Sequence, residues 1–421
     1  MDINFLLKGV ECECGRKHVC DIKHVYIENK SHLRLPELCL EHEEIVVVAD
    51  ENTYGACGSD VMSTLEGKKV KKVIFTGAKV LVPNEEAVDE VTKNLGKATL
   101  IIGIGSGVIQ DLCKYVAFEN NMPYFIVATA PSMDGYTSSG AAMILGGMKV
   151  THASRVPEVI LASPEVLANA PLEMIKAGYG DIVGKYSALN DWKLGKAVFD
   201  EYFCQYNYDL TMDMLKKTLE LSEGLLKRNE ESVKALMEAL IVVGIAMSFV
   251  GNSRPASGSE HHLSHFFEIV GIARGEDYFP HGIDVVYSAV ITQMLRDRIL
   301  ALPDFKRKQF EIPREAYVKR MKEVYGYAAE GCIALQDKLN RYNQDRVSVY
   351  IEKEDEIRAI LKEAPSTEEM MELLAKMEMN MKDFYDLYSK EKITEAVFWA
   401  KELKDRYTVL WIYFDLFGVQ E

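Results

Sequence analysis

The sequence predicts an α/β domain on a doubly wound, Rossmann-like parallel sheet over residues 1–163, followed by an all-helical domain over residues 164–421. Three observations carry this. At 421 residues with 48% hydrophobic content, the chain exceeds one usual domain and can bury two cores. From about residue 45 to 163, short β-branched apolar runs alternate with amphipathic stretches, the pattern of βαβ units. After Ser163-Pro164 the strand signals stop, and helical periodicity broken by short Gly/Pro interruptions runs to Leu416.

The elements follow in order. EIVVVA at Glu44 to Ala49, KVIF at Lys72 to Phe75, TLIIG at Thr99 to Gly103, YFIVA at Tyr124 to Ala128 and EVILA at Glu158 to Ala162 read as strands. Asn84 to Asn94 opens on an Asn cap with acids in its first turn, and Val108 to Glu119 follows a glycine-rich turn, so both read as helices. A glycine pair within AMILGGMKVTHAS signals a hairpin. The last segment, YTVLWIYFDLF from Tyr407 to Phe417, reads as a buried terminal helix.

Sixty-four acidic against 49 basic residues leave a net charge of −15, which repels nucleic acid and anionic membrane, and an anionic substrate would need a local basic pocket. No segment reads as a membrane span, and the N-terminus has only a three-residue apolar patch before charges resume, so a soluble, unprocessed, cytoplasmic protein is expected. The eight cysteines are spread through a long chain and fit reduced thiols. Cys12, Cys14 and Cys20 cluster around His18, but C-x-C is not the common zinc spacing and no second pair follows. An ordinary strand or loop is expected there.

Gly103-Ile104-Gly105-Ser106-Gly107 follows an apolar run and opens a helix, so its N–H groups can cradle a pyrophosphate at Gly105, Ser106 and Gly107. The spacing is not G-x-G-x-x-G, and the usual acid some 20 residues later is missing. Asp50, at the end of the first strand, is the alternative for a ribose hydroxyl, or else a turn aspartate. Asp111 and Lys114, at i and i+3, make a local ion pair or reach a ligand at the helix start.

Four of the nine histidines, His261, His262, His265 and His281, fall within 21 positions. On a helix, His261/His265 and His262/His265 are spaced i+4 and i+3, so two imidazoles share a face; spacing does not rank the three. Asp181, flanked by glycines in GYGD, would complete a three-ligand site with one position open. Asp191 reads as structural. The segment TAPSMDGYTSSGAA, small and hydroxylated around Asp134, has the composition of a loop lining a site at the carboxyl end of a parallel sheet.

Together these segments resemble the iron-containing and glycerol dehydrogenase superfamily, related in fold to dehydroquinate synthase, over essentially the whole chain. GIGSGVIQDLCK resembles its G-x-G-G-G-x-x-x-D-x-x-K nucleotide turn, with Ser106 in place of one glycine. GYGD, HLSH and PHG resemble its metal-binding segments; the resemblance implies the ligands Asp181, His262 and His281. TAPSMDGYTSSGAA and SRPASGSEH resemble the sn-glycerol-1-phosphate dehydrogenase branch, a place in phospholipid metabolism. That resemblance implies Asp134 at the substrate and Thr129, Ser138 and Asp111 at an NAD(H) or NADP(H) cofactor; His265, three residues after a ligand, is placed to relay a proton or else to cap the metal shell. The resemblance also implies one divalent metal, zinc or else nickel or iron, a phosphorylated three-carbon substrate and a homodimer or higher homo-oligomer. Lys149, Arg155, Lys185 and Arg254 lie in or beside site segments and are the cations available to a substrate phosphate. Rival readings are a dehydrogenase of unphosphorylated polyols, a dehydroquinate synthase-like lyase, and a non-catalytic binding module.

Overall fold

The computed structural model describes residues 3–77, 81–146 and 148–419, with backbone alone for 148–150. It divides into two compact units, one of Met1–Tyr179 with Glu220–Asn252, the other of Gly180–Leu219 with Ser253–Glu421.

The first unit is built on a six-stranded parallel sheet ordered His24–Ile27, Val159–Ala162, Tyr124–Ala128, Leu100–Gly105, Glu44–Asp50, Lys69–Phe75. All five expected strands are present. His24–Ile27 is the strand that sequence reading misses, because HVYI is short, half exposed and set among charged residues. Buried residues alternate between the faces: Ile45, Val47 and Ala49 pack against helix Glu51–Thr64, while Val46 and Val48 share the other core with Leu112 and Val116 of helix Gly107–Glu119. Helices on both faces explain why the strands are apolar at nearly every position. The expected hairpin is Gly140–Leu145 with Met148–Ala153, in antiparallel register.

The sheet's chain order reverses between Glu44–Asp50 and Leu100–Gly105, since Lys69–Phe75 lies outside the first and Tyr124–Ala128 outside the second. Ligands of open parallel sheets bind beyond the carboxyl ends of the strands at such a reversal. Asp50 and Gly105 end those two strands.

The structural division does not fall at 163/164. Helix Leu172–Val183 starts in the first unit, and helix Glu230–Val250 belongs to it entirely. Glu230–Val250 is long and apolar enough to cross a membrane, contrary to the expectation that no segment is, but its apolar window is 78% buried within the protein. Thr137 Oγ1 donates to the Ile241 carbonyl at 3.1 Å, and Ser248 Oγ donates to the Thr137 carbonyl at 2.9 Å. A helix hydrophobic all round is what such a core position requires.

Every regular element of the second unit among the described residues is a helix, as expected after residue 163. Asp191, read as structural, accepts from the backbone N–H of Ser259 at 2.7 Å and of Val409 at 2.9 Å, and pairs with Arg296 at 2.9 Å. One buried carboxylate thus holds the starts of helices Ser259–Arg274 and Val409–Phe417.

Candidate active site

In the second unit, Asp181 lies near the end of helix Leu172–Val183, His261 in the first turn of Ser259–Arg274 and His281 at the first position of His281–Leu300. Two helices must come unusually close for this. A Cβ on Gly180 would lie 2.4 Å from the Gly282 carbonyl oxygen, so only glycine admits the approach.

One donor atom from each of Asp181, His261 and His281 lies within 4.8 Å of the others, and His261 Nε2 is 3.6 Å from Asp181 Oδ1. Tetrahedral ligation with bonds near 2.1 Å separates nitrogen and oxygen donors by about 3.4 Å. The donor set therefore fits one divalent cation. Its protonation fits as well. Burial alone would raise the Asp181 carboxyl, but the neighbouring charges, foremost the Lys185 ammonium at 2.7 Å, outweigh it and hold the group down to about 2. Burial, with the charges of Lys185 and His281, keeps His261 neutral well below the usual imidazole range. Neutral imidazole and ionised carboxylate are the forms that bind a cation.

Glu260 fixes how His261 points. Its Oε1 accepts from the Gly258 N–H at 2.9 Å and lies 2.6 Å from His261 Nδ1. With a carboxylate on Nδ1, the Nε2 lone pair faces Asp181, the carboxylate–histidine arrangement common behind metal ligands.

The geometry corrects one expectation: His262 is not in the cluster. It is fully buried with neither ring nitrogen hydrogen-bonded, and burial together with Lys404, Arg406 and Arg254 keeps it neutral. One residue along a helix is a rotation of about 100°, which turns His262 away from the face that His261 shares with its i+4 neighbour. The H-x-x-x-H spacing of His261 and His265 was therefore the informative one. His265 lies beside the cluster, its ring 5.5 Å from His281 and 6.2 Å from His261.

The proposed phosphate cations fare differently. Arg254 is engaged by Glu201 at 2.5 Å and the Tyr407 carbonyl at 2.7 Å. Arg155 donates to the Met122 carbonyl and the Asn121 side chain. Lys185 is held on Asp181, and the Lys149 side chain lies outside the described residues. Sequence reading missed Lys404 and Arg406, half-buried beside the histidine helix, where both donate to the Ser253 to Ser257 turn. Burial and the neighbouring Arg254 charge lower Arg406 to about 10. The signal for them was the local run Lys404-Asp405-Arg406 ahead of the terminal apolar helix.

In the first unit, Gly105 ends its strand and Ser106 caps helix Gly107–Glu119 without a side-chain capping bond, so the first-turn N–H groups are left to other acceptors. A Cβ on Gly105 would sit 2.5 Å from the Ile109 side chain. Thr129 N–H donates to the Gly105 carbonyl at 3.1 Å, joining the TAPSMDGYTSSG loop to this turn. Lys114, fully buried, pairs with Asp111 at 3.2 Å and donates to the Gly135 and Gly140 carbonyls at 3.1 and 2.8 Å and to Ser138 Oγ at 3.4 Å. Of the two readings of the Asp111–Lys114 pair the ion pair is the one seen, and it anchors the loop. Asp134 is buried at the start of that loop's helical turn. Asp50 accepts from Thr53 N–H at 2.8 Å as a helix cap, the turn role weighed against ribose binding.

A family model for iron-containing alcohol dehydrogenases matches residues 26–171. Glycerol-1-phosphate dehydrogenase [NAD(P)+] of Halalkalibacterium halodurans is 31% identical over 379 residues, 80% of this chain and 93% of that one. Its namesake from Geobacillus stearothermophilus is also 31% identical, over 67% of this chain and 72% of its own. Among solved structures, glycerol dehydrogenase from Schizosaccharomyces pombe superposes with a TM-score of 0.58 at 16% identity, covering 88% of this chain and 96% of that one, which shows the shared fold. By its identity to these relatives over most of their length, the chain belongs to the glycerol-1-phosphate dehydrogenase family.

Proposed function

We propose that this chain is a metal-dependent, NAD(P)-linked oxidoreductase that interconverts dihydroxyacetone phosphate and sn-glycerol 1-phosphate. The observation that carries the reading is the set of Asp181 and His261, both buried, and half-buried His281, two imidazoles and one ionised carboxylate with donors within reach of one cation.

A divalent cation there supplies Lewis acidity at the substrate oxygen, and a nicotinamide supplies or accepts hydride. The protein's own groups do the rest. Asp181 contributes the single negative charge of the donor set, so a divalent ion keeps a net charge near +1 on the ligands' side. Glu260 holds the Nδ1 proton of His261 and keeps its lone pair directed. Lys185 keeps Asp181 ionised. His265, beside His281, is the group we assign to proton movement. The substrate phosphate is assigned to Lys404 and Arg406, because clustered, partly desolvated like charges are relieved by an anion. Gly105, Ser106 and Gly107 would hold the cofactor pyrophosphate, with Asp111, Thr129 and Ser138 shaping the adjoining loop and Asp50 at the ribose. Asp134 is assigned to the substrate side of that loop.

Zinc is the metal expected of the set, with nickel and iron compatible by hardness. We further infer a cytoplasmic homodimer acting in phospholipid metabolism; the eight cysteines, none in a disulfide among the described residues, suit a reducing compartment. The test is NADH and NADPH oxidation by metal-loaded protein with dihydroxyacetone phosphate and with dihydroxyacetone. Turnover requiring the phosphate supports the proposal; turnover on the unphosphorylated ketone alone makes the chain a polyol dehydrogenase, and none with either returns the lyase reading.

A further inference from the structure

We propose a second metal site, structural and thiolate-based, in the N-terminal hairpin at Cys12, Cys14 and His18. Val10–Glu11 and Lys17–His18 pair antiparallel, and the turn between them is tight: Gly15 N–H donates to the Cys12 carbonyl at 3.0 Å, with Gly15 at a φ of 83°. That turn folds both cysteines back toward His18. The donor atoms of Cys12, Cys14 and His18 lie within 4.8 Å of one another, and Cys14 Sγ is 3.5 Å from His18 Nε2. In tetrahedral zinc, with Zn–S near 2.3 Å and Zn–N near 2.05 Å, sulfur and nitrogen donors stand about 3.6 Å apart. The hairpin already presents that spacing.

A second, independent feature points the same way. His18 is fully buried, stacked on Phe249 at 5.4 Å, and its Nδ1 lies 2.9 Å from the Phe249 carbonyl oxygen. A carbonyl only accepts, so Nδ1 carries the proton and Nε2 presents its lone pair to the thiols. This backbone-fixed tautomer is how ligating histidines are commonly oriented. Cys20, the third cysteine of the segment, is not in the group.

Two thiols and one imidazole select zinc over harder ions, with a fourth position left for a further donor. Binding exchanges two thiol protons for the cation, so the site would load more tightly as pH rises. The site is chemically distinct from the catalytic set, which contains no sulfur.

That distinction supplies the test. Full-length protein is purified from zinc-replete cells, its metal counted, and the metal then exchanged for cobalt(II). The proposal expects about two metals per chain and a near-ultraviolet thiolate-to-cobalt band that persists in His281→Ala and vanishes in Cys12→Ser/Cys14→Ser. Should the double variant fail to fold, thiol titration of the wild type replaces it: Cys12 and Cys14 should be protected until a chelator is added. A wild-type protein with no thiolate band, or thiols equally reactive with and without chelator, overturns the proposal. Loss of the second metal alone, with dehydrogenase turnover intact, leaves the catalytic reading untouched.

Discussion

Replacing Glu260 by glutamine tests the orientation of the metal site without emptying its volume. Glu260 is fully buried, and one of its oxygens serves both the Gly258 N–H and His261 Nδ1. Glutamine keeps the shape, and the Gly258 N–H holds the amide with its oxygen toward His261. What is lost is charge. Hydrogen bonds to an ionised partner are roughly twice as strong as neutral ones, and changes behind a metal ligand cost about 10–100-fold in affinity. The retained geometry puts Glu260→Gln at the lower end, about tenfold weaker metal binding, or about 1.4 kcal/mol. The assay strips the protein with a chelator, titrates zinc back against a competing indicator and follows NADH oxidation in parallel. The dissociation constant should rise about tenfold while the KM for NADH stays fixed. An unchanged constant would refute the role of Glu260, and an equal loss in His262→Ala would refute the choice of His261 over His262.

Three further outcomes follow from the same geometry. Gly105→Ala places a methyl group 2.5 Å from Ile109, so the turn must shift; the KM for the nucleotide should rise at least tenfold with metal content unchanged, and a normal KM would remove the turn from the cofactor site. Asp191→Ala leaves Arg296 buried without its carboxylate and two backbone N–H groups unpaired, for a loss of about 3–5 kcal/mol in urea unfolding; a change under about 1 kcal/mol would contradict the structural role. Burial pushes the Cys39 thiol up to about 11. Since this folded value lies above that of the unfolded chain, the contribution is full below about pH 8.5 and is lost as pH climbs toward 11. Native Cys39 should alkylate at pH 8 at least about a hundredfold more slowly than in denaturant, because only about one thiol in a thousand is ionised; equal rates would be the contrary result.

The parallel sheet was legible because EIVVVA, TLIIG, YFIVA and EVILA are buried on both faces and read as unbroken apolar runs. HVYI was not, since an edge strand half exposed carries no such run. Helices announce themselves by period but not by destination: nothing in the composition of Glu230–Val250 says which unit it joins, and that depends on Thr137 and Ser248 meeting across more than a hundred residues. The histidine cluster was visible as a density of imidazoles, whereas the choice among His261, His262 and His265 turns on helix phase relative to Asp181, a three-dimensional quantity. Lys404 and Arg406 escaped for a related reason, being some 140 residues beyond the histidines they flank.

The most direct measurement is the configuration of the product. Metal-loaded protein is supplied with dihydroxyacetone phosphate and reduced nicotinamide cofactor, and the glycerol phosphate formed is resolved with an enzyme specific for the sn-3 isomer. The account predicts product that this enzyme leaves untouched, formed only when metal is present and abolished in His261→Ala. Product consumed as sn-glycerol 3-phosphate, or formed at an unchanged rate by His261→Ala, would contradict it.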